Sequence, residues 1–263
     1  MGLAVATFPL NAGNGIFPKE DYKFQLGIAS YSLRKFSMED ALKMTERLGI
    51  RRIAFKDFHL KLNASDAEIN NALEKTKNAG IKLYGGGVIY MRSNEEIDQA
   101  FEYARKAGME IIIGVPSHDL LPYVEKKVKE YNIKLAIHNH GPGDKIYPSA
   151  ESAFVKIKNM DPGMGLCIDI GHTVRIKGDP VQDLKNFFDR VHDIHIKDVT
   201  MKEEKGQTCE IGRGVIDIPA FIKTVVKLGY SGTVALEYEK DESDPLPGMA
   251  ESIGYIKGVL AVI

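Results

Sequence analysis

The sequence predicts a single-domain α/β fold, a (β/α)8 barrel. Three observations predict it: eight short β-type runs, helix-period segments between them, and one junction that recurs where helix passes into strand. In chain order the runs are FQLGIAS, RRIAFKD, IKLYGGG, EIIIGV, IKLAIHNH, MGLCIDI, VHDIHIK and TVALEYE. Segments such as MEDALKMTERLG and DAEINNALEKTKNAG carry helical spacing. Strands that alternate with helices imply βα units and a parallel sheet. The junctions RLGIRRI, NAGIKLY, KAGMEII and KLGYSGTV each place a glycine just past a helix, where a left-handed cap suits it. Gly49, Gly80 and Gly108 lie 31 and 28 residues apart, about one βα unit each. No Pro/Ser-rich linker interrupts the pattern, so residues 25–263 read as one barrel; an open doubly wound sheet is the alternative. The glycine-rich YGGGV does not match GxGxxG running directly into a helix, which gives a dinucleotide site little weight.

At 263 residues the chain has a length that α/β barrels reach as one domain. It is 44% hydrophobic and 27% charged, as folded soluble proteins are. Its 35 basic and 36 acidic residues nearly cancel, so no overall positive field attracts nucleic acid. Cys167 and Cys209 make neither a disulfide framework nor a CxxC zinc site, and they leave the redox compartment open. No apolar run approaches the roughly 20 residues that span a bilayer. Residues 1–24 read as an N-terminal arm. Its start, MGLAVATFPLNAGNG, fits either the stub of a trimmed export signal behind an added Met-Gly or a flexible arm. The first reading implies the periplasm, and the second leaves the cytoplasm open.

Chemistry gathers at the ends of the last four strands, AIHNHG, CIDIGH, DIHIKD and ALEYEKD. In a (β/α)8 barrel these ends and the loops after them form one mouth, where catalytic groups sit. Residues two apart share a face of a strand. His138 therefore points with His140, Cys167 with Asp169, His195 with Lys197 and Glu237 with Glu239, while His192 faces away. With those faces inward, Asp169, His195 and Glu237 converge. Mixed carboxylate and imidazole donors suit one divalent ion such as Mn, Co, Mg or Zn, with positions left for water or substrate. Glu151, in YPSAESAF, and His138 are the candidates for a fourth ligand. Each residue alone has a plainer explanation. Asp169 reads as a turn or helix cap, His195 as a core histidine, and Glu151 as a first-turn residue behind a Ser149 cap. Lys197 and Lys56 read as solvated strand ends, and His59 and His118 as surface loop residues. Jointly, Asp169, His195 and Glu237 are not three accidents.

LCIDIGH, DIHIKD, IGRGVID and ALEYE, in this order and spacing, resemble the xylose isomerase-like TIM-barrel superfamily over residues 25–262. Its members include sugar phosphate isomerases/epimerases, inosose dehydratases and endonuclease IV. The resemblance implies that the Asp of DxGH, the His of HxKD and the Glu ending the eighth strand bind metal, here Asp169, His195 and Glu237. It also implies that His172 contacts substrate. One departure matters: epimerases of the family carry a metal-binding Glu in a pattern like ENH at the fifth strand, and this chain reads HNH, with His138 in its place. The dehydratase-like branch has histidines there and draws its carboxylate from the following loop, which favours Glu151. The resemblance further implies a small carbohydrate substrate and a homodimer.

Such a site can remove a C–H proton next to a carbonyl, because a divalent ion stabilises the charge that develops on oxygen. The base is one of His138, His140, Lys197 or Glu239, while Arg213 and Lys56 hold hydroxyls or phosphate. The stretches VIYM, IHNHGPGDK and EYEKDESDPLPG resemble a bacterial subgroup whose relatives cleave 3-keto-glycosides by 1,2-elimination, which makes a lyase the specific expectation. Isomerisation or epimerisation is the alternative. An endonuclease IV-like enzyme needs three zinc ions and the absent fifth-strand Glu, and a non-catalytic sugar-binding barrel would have no use for the intact triad.

Overall fold

Four of the chain reversals that build the structure share one form. In the computed structural model, which describes residues 22–263, Gly49, Gly80, Gly108 and Gly229 each adopt φ between 61° and 70°. The glycine N–H bonds the carbonyl three residues back, and the next residue's N–H reaches five back, as in Gly49 to Glu46 and Ile50 to Thr45. That pairing consumes carbonyls the helix end leaves open. The following residues, Ile50, Ile81, Met109 and Tyr230, are buried and carry the chain into or toward its next strand. Helix starts are as regular: Ser37, Ser65, Ser93 and Ser149 each accept a backbone N–H from the residue three further on. Such caps stabilise by about 1 kcal/mol each.

In chain order the elements are β1 (Gln25–Ala29), α1 (Met38–Arg47), β2 (Arg52–Phe55), α2 (Asp66–Asn78), β3 (Lys82–Met91), α3 (Asn94–Lys106) and β4 (Ile111–Pro116). They continue with α4 (Leu121–Tyr131), β5 (Lys134–His138), α5 (Ala150–Ile157), β6 (Met164–Asp169), α6 (Ile170–Arg175), α7 (Pro180–Phe187) and β7 (Val191–Ile196). The rest are β8 (Asp198–Val199), β9 (Thr208–Cys209), α8 (Ile218–Lys227), β10 (Thr233–Leu236) and α9 (Leu246–Leu260). The closed barrel has the strand order β1-β10-β7-β6-β5-β4-β3-β2, all parallel, so the expected (β/α)8 barrel is what forms. The expectations for the arm fall largely on residues 1–21, outside the described residues; Phe24 is already buried in the core.

The main apolar core lies between strands and helices, and Ala54, Tyr84, Ile111, Ile113, Ala136 and Cys167 fill the barrel itself. Near its N-terminal end Asp193 accepts the Tyr84 hydroxyl at 3.1 Å, and burial pushes its carboxyl up to about 7. Both cysteines are free and buried.

The expected eight strands leave out the antiparallel pair β8–β9, which follows the metal-motif strand β7. This excursion is organised by Asp198. Its Oδ1 accepts the N–H of Val199 at 2.9 Å and of Ile216 at 3.2 Å, and its Oδ2 accepts those of Gly212 and Gly214 at 2.9 Å each. A Cβ on Gly214 would stand 2.1 Å from Asp198 Oδ1 and 2.4 Å from the Val199 carbonyl. The IGRGVID stretch is therefore a loop tied to a buried carboxylate. Asp198→Ala, which strands four N–H groups, should lower stability by about 3–5 kcal/mol and Gly214→Ala by about 1–3 kcal/mol in urea titrations. A wild-type midpoint in both would show that the loop is held by something else.

His192 lies against Gly165 with Nε2 bonded to the Pro162 carbonyl at 2.9 Å, and burial pushes it down to about 4. An unfolded histidine titrates near 6.5. Between these values the unfolded chain holds a proton the native one lacks, so stability falls as pH drops through that window. The slope should be up to about 1.4 kcal/mol per pH unit for this residue, and His192→Gln should remove it.

Candidate metal centre

Strand β6 ends at Asp169 because the chain turns straight into α6, and the two carboxylate oxygens divide the consequences. Oδ1 accepts the His172 N–H at 2.8 Å and caps the helix. Oδ2 turns inward and has no hydrogen-bond partner, although the Lys197 ammonium pairs with it at 3.0 Å off the hydrogen-bonding direction. Asn139 fixes this turn from the neighbouring strand end: its Oδ1 accepts the Asp169 N–H at 2.9 Å and its Nδ2 donates to the Asp169 carbonyl at 3.2 Å. The helix-cap reading and the ligand reading of Asp169 thus apply to different oxygens of one side chain.

Around Oδ2 the polar atoms form a ring. His138 Nε2 lies 3.4 Å from it and 3.1 Å from His195 Nδ1. His195 Nδ1 is 3.3 Å from Glu237 Oε2, and Lys197 Nζ closes the ring 2.6 Å from that oxygen. All five residues are buried. The four donors of His138, Asp169, His195 and Glu237 lie within 4.8 Å of one another, and Cys167 approaches the same two histidines from below. Edges of 3.1 to 3.4 Å are what donors about 2.0–2.2 Å from one centre make with each other. The donor set, with an inward oxygen that has no hydrogen-bond partner, fits one divalent ion.

Charge in the ring is set by the competition of burial with pairing. Burial alone would raise Asp169 and Glu237, but Lys197 and the neighbouring histidines together outweigh it and hold both well below the usual carboxylate range. Burial would equally neutralise Lys197, and the facing carboxylates keep it charged. His138 is lowered by burial, which leaves its lone pair available. His195 goes the other way: Cys167 and Glu237 together raise it against burial.

Above the ring opens a cavity of about 330 Å³. One wall carries His140 and His172, lowered by burial to about 4 and about 3. The lining also carries Tyr31, Lys56 and Glu239, with Lys56 Nζ donating to the Val88 carbonyl at 2.6 Å and Glu239 paired with Lys197 at 2.5 Å. Tyr90 lines the mouth, its hydroxyl 3.3 Å from His140 Nε2 and its ring stacked on the imidazole.

Two expected site residues stand elsewhere. Glu151 is exposed in the first turn of α5, behind the Ser149 cap, and the fourth place in the ring is taken by His138. His138 therefore stands among the residues that could hold a metal, at the floor of the cavity. Arg213 is exposed and pairs with Glu251 at 2.5 and 2.7 Å, because the glycines beside it serve Asp198 and not the cavity. His59, expected at the surface, is buried against Ser30 Oγ at 2.9 Å, whereas His118 is exposed as expected. Sequence reasoning passed over Asn139, Tyr31 and Tyr90. Asn139 was legible as the middle of HNH; Tyr90 was hidden because β3 runs through YGGGVIYM, well past the expected strand end.

A buried ring of metal donors at the C-terminal mouth of a (β/α)8 barrel defines a class, and the comparisons agree with it. The family model described as xylose isomerase-like TIM barrel matches residues 33–259, and the chain belongs to that family. It is similar to the inosose dehydratase of Salmonella typhimurium, at 30% identity over 135 residues, 44% of this chain and 43% of that protein. The chain thus spans less than half the length of that curated relative in the match. Among solved structures, an uncharacterised protein from Parabacteroides distasonis superposes with a TM-score of 0.72 at 27% identity, covering 90% of this chain and 99% of the other. An L-ribulose 3-epimerase shares the fold with a TM-score of 0.74 at 14% identity, covering 90% and 94%.

Protein loaded with cobalt or zinc and desalted should carry about one ion per chain by mass spectrometry. Asp169→Ala and His138→Ala should lose it, and Glu151→Ala should keep it. Retention in His138→Ala with loss in Glu151→Ala would restore the loop glutamate as ligand.

Proposed function

We propose that the protein is a divalent-metal-dependent enzyme that removes a proton next to the carbonyl of a keto-sugar, and that its reaction is the 1,2-elimination of 3-keto-glycosides. The observation that carries this is His138 in the donor ring in place of a carboxylate. Moving a proton from one face of a carbon to the other needs a base on each side. Here Glu239 is engaged by Lys197, and the histidines that line the cavity share one wall. Elimination needs one base and one donor.

A divalent ion bound by His138, Asp169, His195 and Glu237 would supply a Lewis acid for the carbonyl oxygen. His140 takes the proton from C2; burial pushes it down to about 4, so it is neutral at pH 7, and it lines the cavity. The C2–H electrons form the C1–C2 double bond, the C1–O glycosidic bond breaks, and the departing oxygen is protonated to the alcohol. Lys56 and Tyr90 bring N–H and O–H donors to the cavity for that oxygen and the sugar hydroxyls. At the mouth, Tyr90 is 39% exposed and Tyr31 lies beside Phe58, 46% exposed. Exposed aromatic faces at a sugar site suit a second ring or an apolar aglycone. The dehydratases among its relatives are named for an elimination as well.

The test is p-nitrophenyl 3-keto-β-glucoside with cobalt- or manganese-loaded protein in deuterium oxide. Release of nitrophenol, abolished by Asp169→Ala and lowered at least about a hundredfold by His140→Gln, is the expected result. Deuterium entering the sugar without release would make the enzyme an isomerase or epimerase, and neither would leave a binding barrel.

A further inference from the structure

Lys197 is buried to 2% exposure, and its ammonium touches three carboxylates: Asp169 Oδ2 at 3.0 Å, Glu237 Oε2 at 2.6 Å and Glu239 Oε1 at 2.5 Å. The first two are the same oxygen atoms that face His138 Nε2 and His195 Nδ1. An ion held by the ring and the Lys197 ammonium therefore draw on the same lone pairs. The third carboxylate lies outside the ring. Glu239 is 34% exposed and borders the cavity, so it offers the ammonium a seat that no metal donor uses.

The stem of Lys197 is housed as carefully as its head. A Cβ on Gly171 would fall 2.3 Å from Lys197 Cγ and 2.6 Å from Cδ, so the glycine of IDIGH is the space through which this side chain runs. Once both histidines give their lone pairs to an ion, three carboxylates and one ammonium leave the site two charges negative, and a divalent ion balances them. Without the lysine, the metal-free site would bury its carboxylates with only the imidazoles of His138 and His195 beside them, which is destabilising.

We propose that Lys197 is a resident counter-cation of the metal centre. It holds Asp169 and Glu237 together in the metal-free chain, and when a divalent ion enters it withdraws from their inward oxygens onto Glu239. It thereby weakens metal binding while letting the barrel fold and the ring assemble before any metal arrives. This rests on the metal-centre reading above, and it separates two roles that a merely structural lysine would not separate.

The experiment compares wild type, Lys197→Met and Glu239→Gln by cobalt affinity, measured in competition with a chromophoric chelator, and by melting temperature with and without cobalt. Lys197→Met should bind cobalt about tenfold tighter or more, since a positive charge beside the ion is gone. Its metal-free form should melt below wild type, with the gap narrowing on loading. Glu239→Gln, which removes the alternative seat and lies at the cavity edge, should bind cobalt more weakly. Weaker or unchanged affinity in Lys197→Met would overturn the proposal, as a general disturbance of the ring would weaken both variants. Should Lys197→Met fail to fold, wild-type or tighter cobalt affinity in Glu239→Gln would overturn it alone. No cobalt binding by wild type would remove the metal centre and this role with it, whereas tight wild-type binding with an unmoved Lys197→Met affinity would remove only the role.

Discussion

Asp169 and Glu237 end up with their inward oxygens in reach of one ammonium, and the rest of the mouth depends on that juxtaposition. A parallel barrel delivers all its strand ends to one rim, so carboxylates placed on β6 and just beyond β10 must converge on whatever β7 supplies between them. Two buried carboxylates repel and are costly to desolvate unless a cation faces them. Lys197, one residue past β7, meets that condition within the chain itself. His138 and His195 then pack edge to face at 4.8 Å without adding to the negative charge.

The surroundings are built to hold these few atoms still. Asn139 grips the Asp169 backbone, Asp198 gathers four backbone N–H groups of the loop beyond the lysine, and Gly171 yields its volume to the lysine stem. Each of the three sits within two residues of a ring member in sequence. The short motifs DIGH, HIKD and HNH thus mix residues that face the cavity with residues that fix them. Reading every letter of such a motif as a ligand or a base overcounts the chemistry.

That mixture explains what the sequence disclosed and what it withheld. The barrel was legible because its signals are local: glycine past the helix, serine before it, apolar runs between. The convergence of Asp169, His195 and Glu237 was legible because strand alternation and parallel order together determine which side chains meet. Glu151 was misplaced because its distance from the ring depends on how the loop after β5 folds, which no periodicity records; the loop ends by serving α5 with a Ser149 cap. Arg213 was misplaced for a related reason. Flanking glycines draw attention to a charged residue, but here they answer to Asp198, and the guanidinium is left at the surface with Glu251. Tyr90 needed the true length of β3, ten residues in the structure.

The same geometry bears on which reaction the cavity favours. Glu239 is the one carboxylate in the cavity lining outside the donor ring, and Lys197 holds it. If the ammonium moves wholly onto Glu239 when the ring is filled, that carboxylate is held in a close ion pair at the moment substrate is bound. A carboxylate so engaged is not free to serve as a second base on its side of the sugar. His140 is arranged differently: it makes no ion pair with Lys197, and Tyr90 covers it from the mouth. Under the proposed elimination, one base at His140 with the donors of Lys56 and Tyr90 would remove a proton and assist a leaving group, with no second free base to return the proton to the opposite face.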